Sequence, residues 1–173
     1  MKFRAAVIAM VALLIGGCAT TKPHESPTVI GPFITFSGRL IVIEPTRRWQ
    51  VIVDWNGTPE EGDVRLTHAA SNRIVLVKWD NENILILDNA DQSGSWRSIS
   101  GEALAEKGII LPPRQLARIL SGEMPAGLIE KQHGEWEGRI DDSFLRIKWF
   151  DEKQHLELID VTHGRTATLI INP

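Results

Sequence analysis

The sequence predicts an α+β domain in which one curved antiparallel sheet, an incomplete antiparallel β-barrel, is covered by short helices. Short segments of alternating apolar and polar residues recur along the chain and are joined by tight turns, as is typical of antiparallel neighbours. Between residues 101 and 121 the alternation changes to helical spacing before the strands resume. Strands, then helices, then strands again favour an α+β domain over alternating βαβ units.

The first strand is predicted at residues 36–43, where Gly38 is expected to mark a bulge or the close approach of another backbone. A second strand at 49–55 ends at the turn signal Asn56-Gly57. Its apolar residues alternate onto one face and are Trp49, Val51, Val53 and Trp55. Further strands are predicted at 64–67, 74–79, 84–87 and 96–99.

Two helices then interrupt the strands. The first is predicted at 101–107 with Ser100 as its N-cap, and the second at 113–121 with Pro113 in its first turn. The second helix carries an apolar stripe formed by Leu116, Ile119 and Leu120. Strands resume at 135–140, 144–150, 155–161 and 166–171.

These helices are short for so wide a sheet, so part of its concave apolar face is expected to stay open as a binding site for an apolar ligand. The alternative is that the tryptophans in the strands are ordinary core residues. The candidate cavity residues are Trp49, Val51, Val53, Trp55, Trp79, Leu116, Ile119, Leu120 and Trp149.

The N-terminus has the features of a signal peptide. Lys2 and Arg4 precede an apolar run at 5–14, which is too short to span a bilayer as a helix. Gly16 and Gly17, directly before Cys18, resemble a bacterial lipobox. An ordinary secretory signal with a chance cysteine is the alternative. The predicted organisation is a lipoprotein signal peptide at 1–17, a lipidated flexible tether at 18–32 and one domain at 33–173.

Composition excludes several classes of protein. A hydrophobic content of 43% is inconsistent with a disordered chain, and a formal net charge of −3 argues against nucleic-acid binding. The histidines lack metal-ligand spacing, and there is no Gly-x-Ser-x-Gly motif or Gly-rich phosphate loop. We therefore expect no catalytic residues, no metal and no enzyme activity. A hydrolase with an unrecognised site remains the weaker alternative.

The order of several motifs resembles the LolB family. A lipobox is followed by Phe-Ser-Gly-Arg-Leu at 36–40, Ser-Gly-Glu-Ala-Leu at 100–104, the helix at 113 and Leu-Ser-Gly-Glu-Met-Pro-Ala-Gly at 120–127. Members are outer-membrane lipoproteins that receive other lipoproteins from a periplasmic carrier and insert them into the membrane. The resemblance covers residues 36–127 and implies an incomplete antiparallel β-barrel whose helices close an acyl-binding cavity.

The lipobox resemblance implies the anchor, and the LolB resemblance implies the partners. Cys18 would carry a covalent diacylglyceryl and an N-acyl lipid, with no other cofactor, and Ala19 in place of Asp favours the outer membrane. We expect a monomer that faces the periplasm and binds lipoprotein cargo and a LolA-like carrier. The family's bulky apolar loop residue is missing from the His-Ala-Ala-Ser-Asn turn at 68–72. Either another loop inserts cargo or the protein binds lipid without insertion. A structural envelope lipoprotein with a dry core is the alternative function.

Overall fold

Eleven antiparallel strands form a single sheet in the computed structural model, which describes residues 28–91, 94–107 and 109–172. The predicted signal peptide, Cys18 and the tether up to residue 27 lie outside these residues. The strands are β1 (Thr35–Glu44), β2 (Arg47–Gly57), β3 (Gly62–His68), β4 (Arg73–Trp79), β5 (Ile84–Asp88), β6 (Arg97–Ser98), β7 (Leu128–Gln132), β8 (Glu135–Ile140), β9 (Ser143–Phe150), β10 (His155–Asp160) and β11 (Arg165–Asn172).

The strand order is β6-β5-β4-β3-β2-β1-β11-β10-β9-β8-β7. All neighbours pair antiparallel, and the edge strands β6 and β7 do not pair with each other, so the sheet is open. Most connections are hairpins between neighbours in the sequence. The exception is the connection from β6 to β7, which contains the helical segment and joins the two edge strands. The first and last strands, β1 and β11, pair with each other at the centre of the sheet.

The prediction of an α+β domain is wrong, because the described chain is nearly all β. Its two α-helices are α1 (Gly101–Glu106) and α2 (Pro113–Leu120), and Asp151–Lys153 forms a 3-10 turn. The single unclosed antiparallel sheet agrees with part of the prediction. Helical spacing correctly located both helices. The helices are short, however, and several strands are longer than predicted, so that strands dominate the described residues.

One strand was missed. β7 has the sequence Leu-Ile-Glu-Lys-Gln, and only Leu128 is buried. It is an edge strand that pairs with β8 alone, with a register irregularity between Glu130 and Gln132. An edge strand buries few side chains and therefore need not show the alternation that identifies central strands.

The core lies on one face of the sheet, which we call the inner face. Alternate residues of each long strand are buried there, as in β10 where Leu156, Leu158 and Asp160 point inward. The buried apolar residues of this face form one hydrophobic cluster with Ala117, Ile119 and Leu120 of α2. The sheet and α2 thus share a single core.

Residues 28–32, the last part of the predicted tether, pack against the domain. Ile30 is fully buried. The Phe33 backbone N–H donates to the Leu120 carbonyl at 2.8 Å, and the Gly134 N–H donates to Thr28 Oγ1 at 2.9 Å. The packed part of the chain therefore begins before residue 33.

The helix ends follow the expected local chemistry. The Ala103 N–H donates to Ser100 Oγ at 3.1 Å, which confirms the predicted N-cap. Pro113 is the first residue of α2, and Gly122 follows the helix with a φ of 88°. Within the described residues, neither helix has the length and hydropathy required to cross a lipid bilayer.

Candidate ligand-binding site

The helix α2 packs on the inner face through its apolar stripe. Ile119 and Leu120 are fully buried, and Leu116 is partly buried against the same core. The first turn of the helix is tied to both halves of the sheet, since the Arg114 guanidinium donates to the Asp80 carbonyl after β4. The adjacent Gln115 Nε2 donates to Asp141 Oδ2 at 3.4 Å, directly after β8 in the other half of the sheet. The helix therefore bridges strands that are distant in the sheet order.

Three of the four candidate tryptophans belong to a row of aromatic rings. The ring centroids lie 5.6 Å apart for Trp149 and Phe33, 6.4 Å for Phe33 and Phe36, 6.0 Å for Phe36 and Trp55, and 4.9 Å for Trp55 and Trp79. Sequence reasoning did not select the two phenylalanines. Phe36 was detectable, because it shares the alternation of β1, whereas Phe33 precedes the strand and has no periodic signal.

Trp49 does not join this row. It is partly buried on the inner face, and its Nε1 donates to Glu44 Oε1 at 3.4 Å. Its strand neighbours Val51 and Val53 are buried in the core cluster. The structure thus places the other candidate cavity residues in or against one core cluster. Trp49 packs at the edge of that cluster, near the β1–β2 turn.

Nine apolar side chains of the described residues pack against the core while staying partly exposed, and we call five of them, Leu40, Trp49, Leu66, Val75 and Leu116, the inner band. Leu66 of β3 lies opposite Val75 of β4, and Leu40 of β1 follows the same alternation as its buried neighbours. Trp49 and Leu116 complete the band. Leu40, Leu66 and Val75 were not selected from the sequence, although they share the alternation phase of buried residues. The inner band is one part of the core that solvent reaches, and Phe33, Ile84, Ile99 and Met124 are partly exposed as well.

Elsewhere the interior is filled by the protein's own side chains. Val51, Val53 and Trp55 on the sheet, and Ile119 and Leu120 on α2, are all buried in one cluster. The candidate cavity residues therefore mainly contact each other and the surrounding core. In this structure the site is closed, and a ligand between α2 and the sheet would have to displace side chains.

A cleft of about 450 Å³ lies beside the β2–β3 and β4–β5 turns. It has mixed polarity, since Glu61, Asp63 and Lys78 line it together with Trp79. The Trp79 Nε1 donates to the Thr58 carbonyl at 3.0 Å. This cleft differs in character from the apolar inner band.

The buried Asp160 has a charged environment. Its Oδ2 lies 2.6 Å from Arg165 and 2.8 Å from His163 Nδ1. Burial alone would raise the pKa of the Asp160 carboxyl, but hydrogen bonds from Arg165 and His163 together hold that pKa below its usual value.

Asp160, His163 and Ser143 do not form a nucleophile relay. Ser143 Oγ lies 3.5 Å from His163 Nδ1, the same nitrogen that contacts Asp160. A Ser-His-Asp relay uses both ring nitrogens. Within the described ranges, no group of three or more His, Cys, Asp or Glu residues is placed to hold a metal ion.

Comparison with known proteins adds no relative: no family model matches the chain, and no curated protein matches it.

Proposed function

We propose that the chain is an outer-membrane lipoprotein that binds the acyl chains of other lipoproteins between α2 and the inner face of its sheet, and helps to place them in the outer membrane. The observation that carries this proposal is the inner band, in which Leu40, Leu66 and Val75 pack against the same core cluster as α2 without being fully buried. The lipobox ending at Cys18 supports the location.

The energies of burial favour displacement of α2 by a long acyl chain. Exposing Leu116, Ile119 and Leu120 costs about 1.5–3 kcal/mol for each side chain. Burial contributes about 0.8 kcal/mol for each methylene, so that a long chain contributes on the order of 10 kcal/mol. One chain therefore offsets the displacement of the apolar stripe. In transfer from another apolar site the burial of the chain itself cancels, so the chain then offsets the displacement of α2 only by covering the inner face that α2 leaves.

A structural envelope lipoprotein is the second candidate function. The dense burial around Val53, Trp55 and Ile119 favours it, because a filled interior stabilises a domain that binds no ligand. The two functions differ in whether the isolated domain binds an apolar chain saturably.

Replacing Leu116 with Gln is expected to weaken binding of a fluorescent fatty-acid probe by about tenfold. Leu116 is the partly exposed residue of the α2 stripe, and losing its contact with a chain costs roughly 1.4 kcal/mol. Titration of the probe into the domain from residue 19 onward gives the dissociation constant.

The matched control is Ile129→Gln, because Ile129 is 62% exposed and lies on the edge strand β7. This variant should bind the probe like the unaltered domain. Absence of saturable binding in the unaltered domain contradicts the proposal and favours the structural alternative. Equal weakening in both variants would contradict the assignment of the inner band.

Replacing Cys18 with Ser is expected to abolish lipid modification and move the protein from the membrane to the soluble fraction. The thiol is the sole acceptor for the diacylglyceryl group, because the chain contains one cysteine. Mass spectrometry of the mature N-terminus should show the lipids on the unaltered protein. An unmodified Cys18, or cleavage at another bond, would contradict the lipoprotein assignment.

A further inference from the structure

Arg114 differs from the other arginines of the described residues. It is partly buried and forms no ion pair with a described residue. The other unpaired arginines are exposed to solvent. The paired ones are Arg47 with Glu44, Arg73 with Asp88, Arg97 with Asp91, Arg146 with Glu137 and Arg165 with Asp160.

The guanidinium of Arg114 is only partly satisfied. One of its nitrogens donates to the Asp80 carbonyl, but its Nε is buried and has no hydrogen-bond partner among the described residues. The Asp80 carboxylate accepts the backbone N–H groups of Glu82 and Asn83, each at 2.8 Å. These two hydrogen bonds, and to a lesser degree the charge of Arg114, lower the pKa of Asp80. A buried, charged donor without an acceptor is unfavourable, so a ligand that supplies an anionic acceptor gains from contact with it.

A cleft of about 320 Å³ adjoins this group. Arg114 and Gln115 line it together with the polar residues Asn83, Ser98 and Ser100. The Gln115 Oε1 is a second buried polar atom without a hydrogen-bond partner among the described residues. The cleft thus adjoins an unsatisfied cationic donor and an unsatisfied acceptor, and because both atoms are buried, a ligand reaches them when the two side chains turn toward the cleft.

We propose that this cleft binds an anionic group, a phosphate or a carboxylate, with Arg114 as its main donor. Gln115 Oε1 accepts a hydroxyl or amide hydrogen from the same ligand. Glu82 also lines the cleft, but its side chain is exposed and can turn toward solvent.

Leu116 of the inner band directly follows Gln115, so the cleft and the inner band meet at the start of α2, and this sets the orientation of a ligand that contacts both. An amphipathic ligand that places its chain at the inner band has its anionic group at the start of α2. For the attached chain, this inference rests on the proposed function; the anion site itself rests on Arg114 and the cleft.

Isothermal titration with three probes tests the site: dodecyl phosphate, the uncharged dodecanol and inorganic phosphate. The unaltered domain is expected to bind dodecyl phosphate at least tenfold more tightly than dodecanol. Arg114→Gln should reduce this preference to within twofold, and the ratio of the two affinities is the readout because Arg114 also ties α2 to the sheet and its loss can change the affinity for dodecanol. The matched control is Arg118→Gln on the exposed side of α2, which should keep the preference. Circular dichroism and thermal unfolding confirm that each variant is folded.

The inference is overturned if the unaltered domain shows no preference, if Arg114→Gln retains it, or if Arg118→Gln removes it equally. If neither dodecyl phosphate nor dodecanol binds, the proposed function fails. Titration with inorganic phosphate then tests whether the cleft is an anion site. Saturable phosphate binding that Arg114→Gln abolishes supports an anion site for a free ligand, and absence of binding overturns it. Tighter binding of dodecyl phosphate than of inorganic phosphate identifies a lipid-linked anion.

Discussion

Replacing Asp160 with Asn is expected to lower the free energy of unfolding by about 3–5 kcal/mol, because it removes one partner of a buried ion pair. Asp160 is fully buried, and the side chain of its partner Arg165 is only 12% exposed. The substitution leaves that guanidinium with a neutral neighbour, so its charge is no longer compensated. Urea unfolding of the domain at neutral pH measures the loss.

The matched control is Asp142→Asn, because Asp142 is exposed in the β8–β9 turn. Its effect should stay within about 0.5 kcal/mol. A loss at Asp160 no larger than that of the control would show that the buried pair contributes little to stability.

The same carboxyl predicts a pH dependence. Its pKa in the folded state lies below the ordinary value of 3.8, so the unfolded chain binds the proton more readily. The stability contributed by Asp160 is therefore fully present above the unfolded pKa, and is lost as the pH falls through the folded pKa. Asp160→Asn should reduce the acid dependence of unfolding. Some dependence should remain, because the pKa values of Glu44 and Asp88 are lowered by hydrogen bonds from arginines.

Replacing Gly38 with Ala is expected to destabilise the domain by about 1–3 kcal/mol or more. A Cβ on Gly38 would lie 2.4 Å from the Ile170 carbonyl oxygen of β11. This obstacle is backbone rather than a flexible side chain, so β1 and β11 must separate at the centre of the sheet. Thermal or urea unfolding measures the effect, and hydrogen exchange should show it first in the β1–β11 pair.

The control for Gly38 is Gly101→Ala at the start of α1. Its Cβ would meet Pro112 at 3.7 Å, which is an ordinary contact. This variant should be neutral or more stable by about 0.4–1 kcal/mol, since alanine restricts the unfolded chain. An unchanged free energy of unfolding in Gly38→Ala would contradict the prediction, because it would show that β1 and β11 separate enough to hold the methyl group without loss of stability.

Much of the sheet was predictable, because a pleated strand turns alternate residues to opposite faces. The alternation in β2 correctly placed Val51, Val53 and Trp55 on the inner face. The close approach expected at Gly38 is confirmed by the Ile170 carbonyl. The α+β assignment failed because local periodicity does not show how much of the core an element covers.

The candidate site was only partly predictable. Trp55 and Trp79 lie together as strand alternation suggests, but Phe33 joins Trp149 to that row from outside any strand. Trp49 shares the face of Trp55 and still lies apart from the row. Alternation assigns a face, whereas a ring contact also depends on strand register and on segments distant in sequence.

The sequence by itself determined the inward and outward positions of the strands, the start of both helices and the positions of the principal turns, because these depend on neighbouring residues. It also carries the whole basis for a lipid anchor at Cys18. Only the tertiary structure decided that buried side chains fill the core beneath α2 and that Arg114 forms no ion pair with a residue that the structure describes. Both properties depend on how closely α2 approaches strands from two distant parts of the chain, and local sequence does not specify that distance.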